Sequence, residues 1–449
     1  MSRLRFPQRW WRHWHDRQSS HGLIARSFTL IAIYVLVSKL AGATKEILSA
    51  RSFGTSADMD AFVFLLNFAS WPASVALPLL SALLVPLYVQ LNDPGFESVR
   101  RFRGEVHGLV LLAGTVLGVL FALMPVLDPT LITSAGLSAA STSSVLKLLW
   151  ILAALVPVGL YGSLLSAESL ARKRHLNTLL EGMPALVVSA LLLISAGASI
   201  VLLAWATLAG FVCQAMLLLV EQMRHRERPD VRLGFSSSHW KTIRHGLLAM
   251  VVAQTLQSLT NLIDQLWAAR LGEGAVSTLG YAQRLVFLLL GLGVTAIGRA
   301  TLPVFSRLAA DNSAGQERIA IQWAILLAVL GLAILAVAWP LTPWLISLLF
   351  ERGAFTPADT QATASFVRYS LLQLPFYFPG IVLVQWLLAA RRYQAIAWLA
   401  GVNLLTKMLA NYLFVPVFGL DGLALASSAM YAVNTLVLAA HIQIRRRRL

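Results

Sequence analysis

The sequence is poor in charge and in cysteine, and it lacks a nucleotide-hydrolysis motif. Only 12% of its 449 residues are charged, whereas soluble proteins carry about 25%. The single cysteine, Cys213, excludes a disulfide within the chain. No lysine follows a glycine, so the Gly-Lys step of a P-loop is missing. These shortages exclude an ordinary soluble enzyme, a disordered chain and a chain that hydrolyses ATP.

Catalytic and metal-binding motifs are also missing from the sequence. It contains no Ser-His-Asp arrangement, no nucleophile elbow and no cluster of metal ligands. The His13 and His15 pair is better explained by a solvated basic arm than by a metal site. We therefore predict a protein that is not an enzyme and that holds no metal and no cofactor.

Long apolar runs fill most of the chain. Hydrophobic residues make up 57% of the sequence, and a bilayer core about 30 Å thick needs about 20 apolar residues per helix. The runs are too long for the strands of a membrane barrel, which have about ten residues each. The sequence predicts an all-α integral membrane protein with about twelve transmembrane helices. The predicted spans lie near 22–44, 61–90, 106–127, 145–169, 177–197, 199–221, 242–268, 278–305, 319–349, 361–389, 393–417 and 421–441.

The predicted spans form two groups of six, separated by a polar stretch. Residues 22–221 are the N-lobe, residues 222–241 the linker and residues 242–441 the C-lobe. Residues 1–21 form a basic and aromatic arm, a composition that favours the headgroup layer, and residues 442–449 form a basic tail. A cleaved signal peptide is the alternative interpretation of the N-terminus, but the first apolar run is too long for one.

The positive charge of the chain is unevenly distributed between the two sides of the predicted membrane. The sequence has 36 Lys and Arg against 20 Asp and Glu, a net charge of +16. Most of the basic residues lie on the side that holds both termini, and the positive-inside rule places that side in the cytoplasm. Because the charge is spread over many short segments, it indicates topology rather than nucleic-acid binding.

The two halves match at a constant offset of 218 residues. The offset pairs acid with acid, glycine with glycine and proline with proline. The pairs include Glu46 with Asp264, Gly54 with Gly272, Pro125 with Pro343, Pro157 with Pro375 and Gly162 with Gly380. Because six spans separate equivalent points, both halves insert with the same orientation. We predict two parallel six-helix repeats around a central site, as in known transporters that work by alternating access.

Five of the cations within the predicted spans or at their ends are candidates for a binding site, because charge is expensive there. Each costs about 2.5–3.5 kcal/mol on insertion scales, so we expect these side chains to face a wet interior rather than lipid. They are Lys39, Lys45, Arg284, Arg368 and Lys407. A cavity rich in Lys and Arg suits an anionic substrate, above all a phosphate or diphosphate.

Acidic and amide side chains complete the predicted cavity. Gln257, Asn261 and Asp264 share one face of the seventh predicted span at helical spacing. Asn67 and Asp60 belong to the second span, and Glu46 to the first. Hydrogen bonding between helices of a bundle is the alternative for the uncharged members. The acids either pair with the cations or bind a coupling Na⁺ or proton, and the sequence leaves that choice open.

Several blocks of the sequence resemble the signature of a known family. One is Tyr281-Ala-Gln-Arg284, and the others lie at 38–46, 50–54, 60–62, 261–264, 271–277, 302–306, 352–356 and 419–427. Over about residues 25–440 the chain is similar to the MurJ/MviN family of the multidrug/oligosaccharidyl-lipid/polysaccharide exporter superfamily. The resemblance implies two six-helix lobes in a V shape and the flipping of undecaprenyl-diphosphate-linked saccharides such as lipid II. It also implies that Lys39, Lys45 and Arg284 belong to a cationic central cavity.

Three departures from the family pattern keep the substrate open. Lys39 and Lys45 stand where the family usually has arginine, which keeps the charge but loses the bidentate fork. No basic residue occurs in the stretch 69–74 of the second span. Lipid II flippases usually add two C-terminal helices, and this sequence has twelve predicted spans. An exopolysaccharide or O-antigen repeat-unit flippase is therefore an alternative to a lipid II flippase.

The leading hypothesis is a flippase that acts as a monomer in the bacterial cytoplasmic membrane. Its expected partners are a polyprenyl-diphosphate-linked saccharide and membrane lipids. A drug or metabolite exporter of the same superfamily is disfavoured, because exporters of cationic drugs rely on carboxylates rather than on cations such as Lys39 and Arg284. A membrane scaffold without transport is a third hypothesis, and it predicts that substitutions in the cavity have no effect.

Overall fold

The computed structural model is helical in almost every segment that it describes. It describes residues 20–90, 97–128, 130, 134–172, 176–195, 197–225, 230–237, 239–310, 316–390 and 392–446. The helices of the N-lobe are α1 (Ser20–Phe53), α2 (Ala57–Gln90), α3 (Glu97–Leu127), α4 (Ala139–Ala153), α5 (Leu155–Ala171), α6 (Leu176–Leu180), α7 (Met183–Ile194) and α8 (Ile200–Arg224). Those of the C-lobe are α9 (His239–Ala269), α10 (Ala275–Ala310), α11 (Gln316–Phe350), α12 (Pro357–Leu371), α13 (Leu374–Ala389), α14 (Tyr393–Phe418) and α15 (Leu420–Arg446).

The predominance of helices fits a chain that is surrounded by lipid. Helices satisfy their own backbone hydrogen bonds, which a bilayer core cannot do for them. Among the described residues, nine helices are long and apolar enough to cross a membrane, and a tenth span results if the bent pair α12–α13 counts as one. The predicted all-α membrane fold is confirmed, whereas the number of twelve spans stays a prediction.

The two remaining predicted spans correspond to α1 and α9. These helices have 34 and 31 residues, so length does not set them apart. Both carry polar residues along their length: α1 has Lys39, Lys45 and Glu46, and α9 has the predicted stripe that includes Asp264. Each is the first helix of its lobe. These two polar helices therefore occupy equivalent places in the two halves of the chain.

The helix boundaries recur at the predicted offset of 218 residues. Helix α4 runs from 139 to 153 and α12 from 357 to 371, so their bounds differ by that offset at both ends. Both lobes also break the following helix at equivalent points, at Ala154 and at Leu372, and the second break bends the chain by 46°. Pro157 and Pro375 lie just after these breaks, where a proline disfavours a continuous helix before it. The boundaries agree with a duplication, which stays a prediction.

The lobes contact each other chiefly through α2. This helix packs against α9 and α10 of the C-lobe, and α1 adds contacts to α11. Within each lobe the same neighbours meet: α2 packs on α4 and α5 in one, and α10 on α12 and α13 in the other. A single cluster of buried apolar residues runs through both lobes. The two lobes thus pack together mainly where α2 meets α9 and α10.

The described part of the linker lies along α3. Residues 230–237 have no regular secondary structure, and the Arg232 amide donates to the Gly104 carbonyl at 3.0 Å. A Cβ at Gly104 would lie 2.1 Å from the Asp230 carbonyl oxygen, so the close approach requires glycine. Residues 1–19 of the predicted arm (1–21) and residues 447–449 of the predicted tail lie outside the described residues, and residues 20 and 21 belong to α1.

Candidate functional site

Lys45, Glu46 and Arg284 form a charged cluster where the lobes meet. The Lys45 Nζ lies 2.7 Å from the Glu46 Oε1, and the Arg284 guanidinium pairs with the other carboxylate oxygen of Glu46. The Lys45 and Arg284 side chains are 21% and 26% exposed, so neither is fully enclosed by protein. Because Lys45 and Glu46 belong to α1 and Arg284 to α10, the cluster joins the two lobes by charge.

The depth of this cluster follows from its helix positions. Arg284 comes nine residues after the start of α10, which corresponds to about 13 Å along a helix. Glu46 comes seven residues before the end of α1, or about 10 Å. Both lengths are measured from the end of the molecule opposite the linker, which we call the loop end. The cluster therefore lies inside the bundle, below the loop end.

Asp60 lies at the loop end and caps the first turn of α10. It accepts hydrogen bonds from the Gly274 amide at 2.6 Å, from the Ser277 amide at 2.7 Å and from the Ser277 hydroxyl at 2.7 Å. Free amides at a helix N-terminus favour a carboxylate. Asp60 is 1% exposed. It therefore binds the C-lobe directly instead of standing in the open cavity.

Main-chain and side-chain contacts extend this junction across the whole loop end. The Ala354 amide donates to the Arg51 carbonyl at 2.9 Å, and the Tyr281 hydroxyl donates to the Gly54 carbonyl at 3.1 Å. The Thr55 hydroxyl donates to the Asp359 carboxylate. We call these contacts, together with those of Asp60, the loop-end seal. They join residues 51–60 of the N-lobe to 274–281 and 354–359 of the C-lobe.

Lys407 is enclosed within the C-lobe. Its ammonium lies 3.0 Å from Asp264 Oδ1 and donates to the Leu423 carbonyl at 3.0 Å and to the Ser427 hydroxyl at 2.6 Å. Asn411 donates to the same carboxylate oxygen at 3.1 Å. The Lys407 side chain is 1% exposed and that of Asp264 is 6% exposed. The ammonium is thus already satisfied by oxygen atoms of its own lobe.

Lys39 and Arg368 lie apart from the charged cluster. Lys39 is exposed on α1 and interacts electrostatically with Glu181, which follows α6. The Arg368 Nε donates to the Trp339 carbonyl of α11 at 3.0 Å, so it ties α12 to its neighbour. Of the five predicted cations, the structure brings Lys45 and Arg284 together around Glu46.

The predicted polar residues line three cavities that share walls. Asn67 and Asn261 line a cavity of about 160 Å³ between α2 and α9, where the Trp71 indole also donates to Ser258 across the lobes at 2.9 Å. Asn261 and Asp264 line a second cavity of about 50 Å³. Gln257 lines the third and largest, of about 730 Å³, inside the C-lobe.

Sequence reasoning missed a second buried charge network in the N-lobe. Arg103 donates to the two carboxylate oxygens of Glu168 at 2.8 and 2.9 Å, and His107 approaches the same carboxylate at 3.2 Å. Glu105, one helix turn away, accepts hydrogen bonds from the linker. These four residues lie inside or beside predicted spans. Charge within a span is the signal that could have identified them, as it identified Lys45 and Arg284.

Metal-binding potential is low in the part of the chain that the structure describes. Among those residues, no group of three or more His, Cys, Asp or Glu is arranged to hold a metal ion. His13 and His15 are not among them. The site therefore offers ion pairing and hydrogen bonding as its chemistry.

Comparison with known proteins gives consistent matches. The family model described as Lipid II flippase MurJ matches residues 49–448. A Buchnera aphidicola (subsp. Baizongia pistaciae) protein named "Probable lipid II flippase MurJ" is 24% identical over 430 residues, 92% of this chain and 82% of that protein. The "Lipid II flippase MurJ" of Burkholderia cenocepacia is 29% identical over 255 residues, 53% of this chain and 47% of its own length. For a Bdellovibrio bacteriovorus relative, the match spans 45% of that protein.

Solved structures share the fold at low sequence identity. "Lipid II flippase MurJ, inward closed conformation" aligns with a TM-score of 0.79 and 19% identity, over 93% of this chain and 89% of that chain. A multidrug resistance MATE family transporter of the MOP superfamily aligns at 0.72 in an inward-facing form, with 17% identity, over 92% of this chain and 95% of that chain. An outward-facing MATE structure aligns at 0.60, with 16% identity, over 94% of this chain and 96% of that chain. The family model covers nearly the whole chain, and on that ground the chain belongs to the MurJ lipid II flippase family.

Proposed function

We propose that this protein flips a polyprenyl-diphosphate-linked saccharide, lipid II, from the cytoplasmic to the outer leaflet of the bacterial inner membrane. The observation that carries the proposal is the cluster of Lys45, Glu46 and Arg284 at the lobe interface. Two accessible cations held apart from lipid suit a diphosphate. The names of the relatives support lipid II as the transported substrate. The protein works as a monomer, with the linker end and both termini in the cytoplasm.

In this mechanism Glu46 binds the two cations when no substrate is present. Its carboxylate pairs with both Lys45 and Arg284 and so limits the repulsion between them. A diphosphate carries more negative charge than one carboxylate and binds the Arg284 fork and the Lys45 ammonium in its place. Release of Glu46 from Arg284 removes the charge link between α1 and α10. The lobes then separate at the loop end and the site opens to the outer side.

The driving force in this proposal is the membrane potential acting on the substrate. The cytoplasm is negative, so moving an anionic diphosphate outward is favourable by about 2.3 kcal/mol per charge for each 100 mV. Asp264 is the acid that a coupling Na⁺ or proton would be expected to use, but Lys407 already neutralises it. We therefore propose that no coupling ion binds at Asp264.

The test is complementation of cells depleted of their own lipid II flippase. Arg284→Ala is expected to abolish rescue, because the remaining Lys45 has lost the bidentate partner for the diphosphate. Arg318→Ala, which removes an exposed arginine on α11, is the matched control and is expected to rescue like the parent chain. Both variants are checked for equal amounts in the membrane. Full rescue by Arg284→Ala would refute the proposal.

An exopolysaccharide or O-antigen repeat-unit flippase is the second candidate. The observation that favours it is the neutral wall that α2 gives to the inter-lobe cavity, with Asn67, Ser70, Trp71 and Ser74. A substrate with fewer charges than lipid II would need fewer cations there. In the same cells, failure of the parent chain to rescue at normal expression would favour this candidate. Rescue of a strain that lacks its O-antigen flippase would then establish it.

A further inference from the structure

A large, partly open cavity lies in the C-lobe, and neither Lys45 nor Arg284 lines it. It has a volume of about 730 Å³ and is lined by residues of α9, α10, α13, α14 and α15. Ligand pockets typically measure about 300–1,000 Å³ and place a few polar groups on largely apolar walls. None of the residues that line this cavity is an acid, a lysine, an arginine or a histidine. Its occupant is therefore uncharged where it touches the walls.

Side-chain amides supply the polar groups of this cavity. Five of them face it from four helices: Gln254, Gln257, Gln385, Asn403 and Asn434. An amide offers both donors and acceptors, which is the pattern that a hydroxyl or an acetamide group requires. Asn434 donates to Asn403 at 3.0 Å, and this bond fixes the orientation of the pair. The remaining lone pairs and N–H groups of the pair are available to a ligand.

Gln385 carries an unsatisfied polar atom at this cavity. Its Oε1 is buried and has no hydrogen-bond partner among the described residues. A buried acceptor without a partner is costly, and such atoms in a native structure call for an explanation. A ligand donor in the cavity would satisfy it. Water could also do so in the empty protein, and a sugar hydroxyl would then replace the water.

Two tyrosines add aromatic faces to the same walls. Tyr377 and Tyr431 both line the cavity, and their rings meet edge to face with centroids 4.8 Å apart and an interplanar angle of 83°. Rings of this kind present an apolar body and a polar tip. Flat faces beside amides suit the alternating C–H and hydroxyl surfaces of a pyranose ring.

The amide lining is not a requirement of the helical bundle. The N-lobe has equivalent helices 218 residues earlier, and its residues at the five amide positions are Leu36, Lys39, Ala167, Ala185 and Met216. No amide occurs among them. Packing of helices at these positions therefore does not by itself require amides, and the bond between Asn434 and Asn403 engages only two of the five.

The C-lobe cavity adjoins the inter-lobe cavity through a smaller one that shares walls with both. Thr260 and Tyr431 line both the large cavity and its smaller neighbour. Gln283 lines that neighbour and also the inter-lobe cavity, and it precedes Arg284 in α10. A ligand whose charged part lies at Arg284 could thus extend an uncharged part into the C-lobe.

From these observations we infer that the C-lobe cavity binds the uncharged saccharide part of the substrate, a hydroxyl- and acetamide-bearing glycan, while its diphosphate lies at Lys45 and Arg284. This inference rests on the proposed function and names the second half of its binding site. The cluster at the lobe interface supplies charge, from Lys45 of α1 and Arg284 of α10, and the C-lobe cavity supplies hydrogen-bond specificity. Exchange of the amides would therefore change the choice of glycan without removing affinity for the diphosphate.

The test measures binding of two separate fragments to the full chain in lipid nanodiscs free of sugar-based detergents. Chitobiose, a neutral N-acetylated disaccharide, is the probe for the cavity, and inorganic pyrophosphate is the probe for the cations. Gln257→Leu and Gln385→Leu are each expected to weaken chitobiose binding about tenfold, the effect of one lost hydrogen bond. Both are expected to leave pyrophosphate binding unchanged. Gln322→Leu, on an exposed face of α11, is the matched control and is expected to change neither.

Arg284→Ala separates the two claims. It is expected to abolish pyrophosphate binding and to keep chitobiose binding. Absence of chitobiose binding to the parent chain at 20 mM would overturn the inference, and so would equal binding by the two cavity variants and the control. Either result would leave the cation site intact. Unchanged pyrophosphate binding by Arg284→Ala would instead overturn the proposed function.

Discussion

At the scale of single residues, exposure separates two kinds of buried charge. Lys407 and Asp264 are enclosed and satisfied within one lobe, and Arg103 and Glu168 form a similar pair in the other. Lys45 and Arg284 are also paired, but both remain partly exposed and join different lobes. An enclosed pair holds its own lobe together, whereas a pair that solvent and substrate can reach is able to exchange partners.

The enclosed pair gives a stability prediction. Lys407→Met removes the ammonium and leaves the Asp264 carboxylate buried without its cation. Breaking a buried ion pair on one side costs about 3–5 kcal/mol. We expect a lower unfolding temperature in nanodiscs, measured by intrinsic fluorescence.

The double variant Lys407→Met/Asp264→Leu is the control for this effect. It removes both charges and is expected to recover most of the lost stability, since replacing a whole buried pair by apolar residues is often neutral. If the double variant were as unstable as the single one, the loss would arise from packing and the ion-pair explanation would fail.

Sequence reasoning found these charges but not their partners. Lys407 and Asp264 were predicted to line one cavity. The spacing of residues along the chain could not identify their partners, because the interacting groups belong to α9, α14 and α15. Which way a side chain turns on its helix depends on packing between distant segments. Glu46 and Arg284 were likewise both recognised as site residues, but their contact requires two helices that lie far apart in the chain.

At the scale of elements, a single carboxylate of α3 binds the end of the linker and the start of α9. Glu105 accepts hydrogen bonds from the Ser236 amide at 3.0 Å, the Ser237 amide at 3.2 Å and the Trp240 indole at 2.7 Å. It is 2% exposed. Nearby, the hydrogen bonds from Arg232 hold the pKa of Asp230 below its ordinary value, so that carboxylate is charged at neutral pH. The segment between the lobes is therefore held to the N-lobe at its second half.

Removal of this carboxylate is expected to free the linker. Glu105→Ala deletes every acceptor for Ser236, Ser237 and Trp240, so we expect trypsin to cut after Arg232 at least fivefold faster than in the parent chain. Glu105→Gln keeps one acceptor oxygen and is expected to give an intermediate rate. The measurement is the time course of the two fragments on a gel. Equal rates for all three proteins would show that Glu105 does not hold the linker.

Element positions were predicted more successfully than element ends. The apolar runs located the long helices, because a bilayer imposes their length. The breaks at Ala154 and Leu372 were not predicted, although Pro157 and Pro375 had been noted as a pair. A proline in a membrane helix either kinks it or ends it, and the surrounding helices decide which. The last turns of α1 and the first turns of α3 were also missed, because charged residues such as Arg51, Arg100 and Arg101 extend helices beyond their apolar parts.

At the scale of the whole molecule, the loop-end seal and the charged cluster close the same end. The seal joins the lobes through Asp60, Thr55 and Tyr281, and the cluster lies below it. Alternating access requires that these contacts break in each cycle. A covalent link across the seal should therefore stop transport without harming the fold.

Val63 and Gly280 offer a place for such a link. A Cβ at Gly280 would lie 3.9 Å from the Val63 Cβ, within the range of about 3.5–4.5 Å found in disulfides. In a Cys213→Ser background, Val63→Cys/Gly280→Cys is expected to form a disulfide on oxidation and to lose at least nine-tenths of its flipping in proteoliposomes. Reduction is expected to restore it.

The two single-cysteine variants are the controls for this prediction. Neither can form the link, so oxidation is expected to leave their transport unchanged. Gel mobility after cleavage between the two positions reports whether the disulfide has formed. Full transport by the oxidised, cross-linked protein would show that the lobes need not separate at α2 and α10.

One bond of the loop-end seal joins two main-chain groups, and the glycines beside it have a consequence for how the family can vary. Arg51 and Ala354 contribute a carbonyl and an amide group, which any residue would supply. Gly54 and Gly353 have φ angles of 55° and 63°, and a Cβ at Gly54 would lie 2.4 Å from the Ala354 carbonyl oxygen. Homologues can therefore vary in side chain at Arg51 and Ala354, whereas the two turns that meet there require glycine at Gly54 and Gly353.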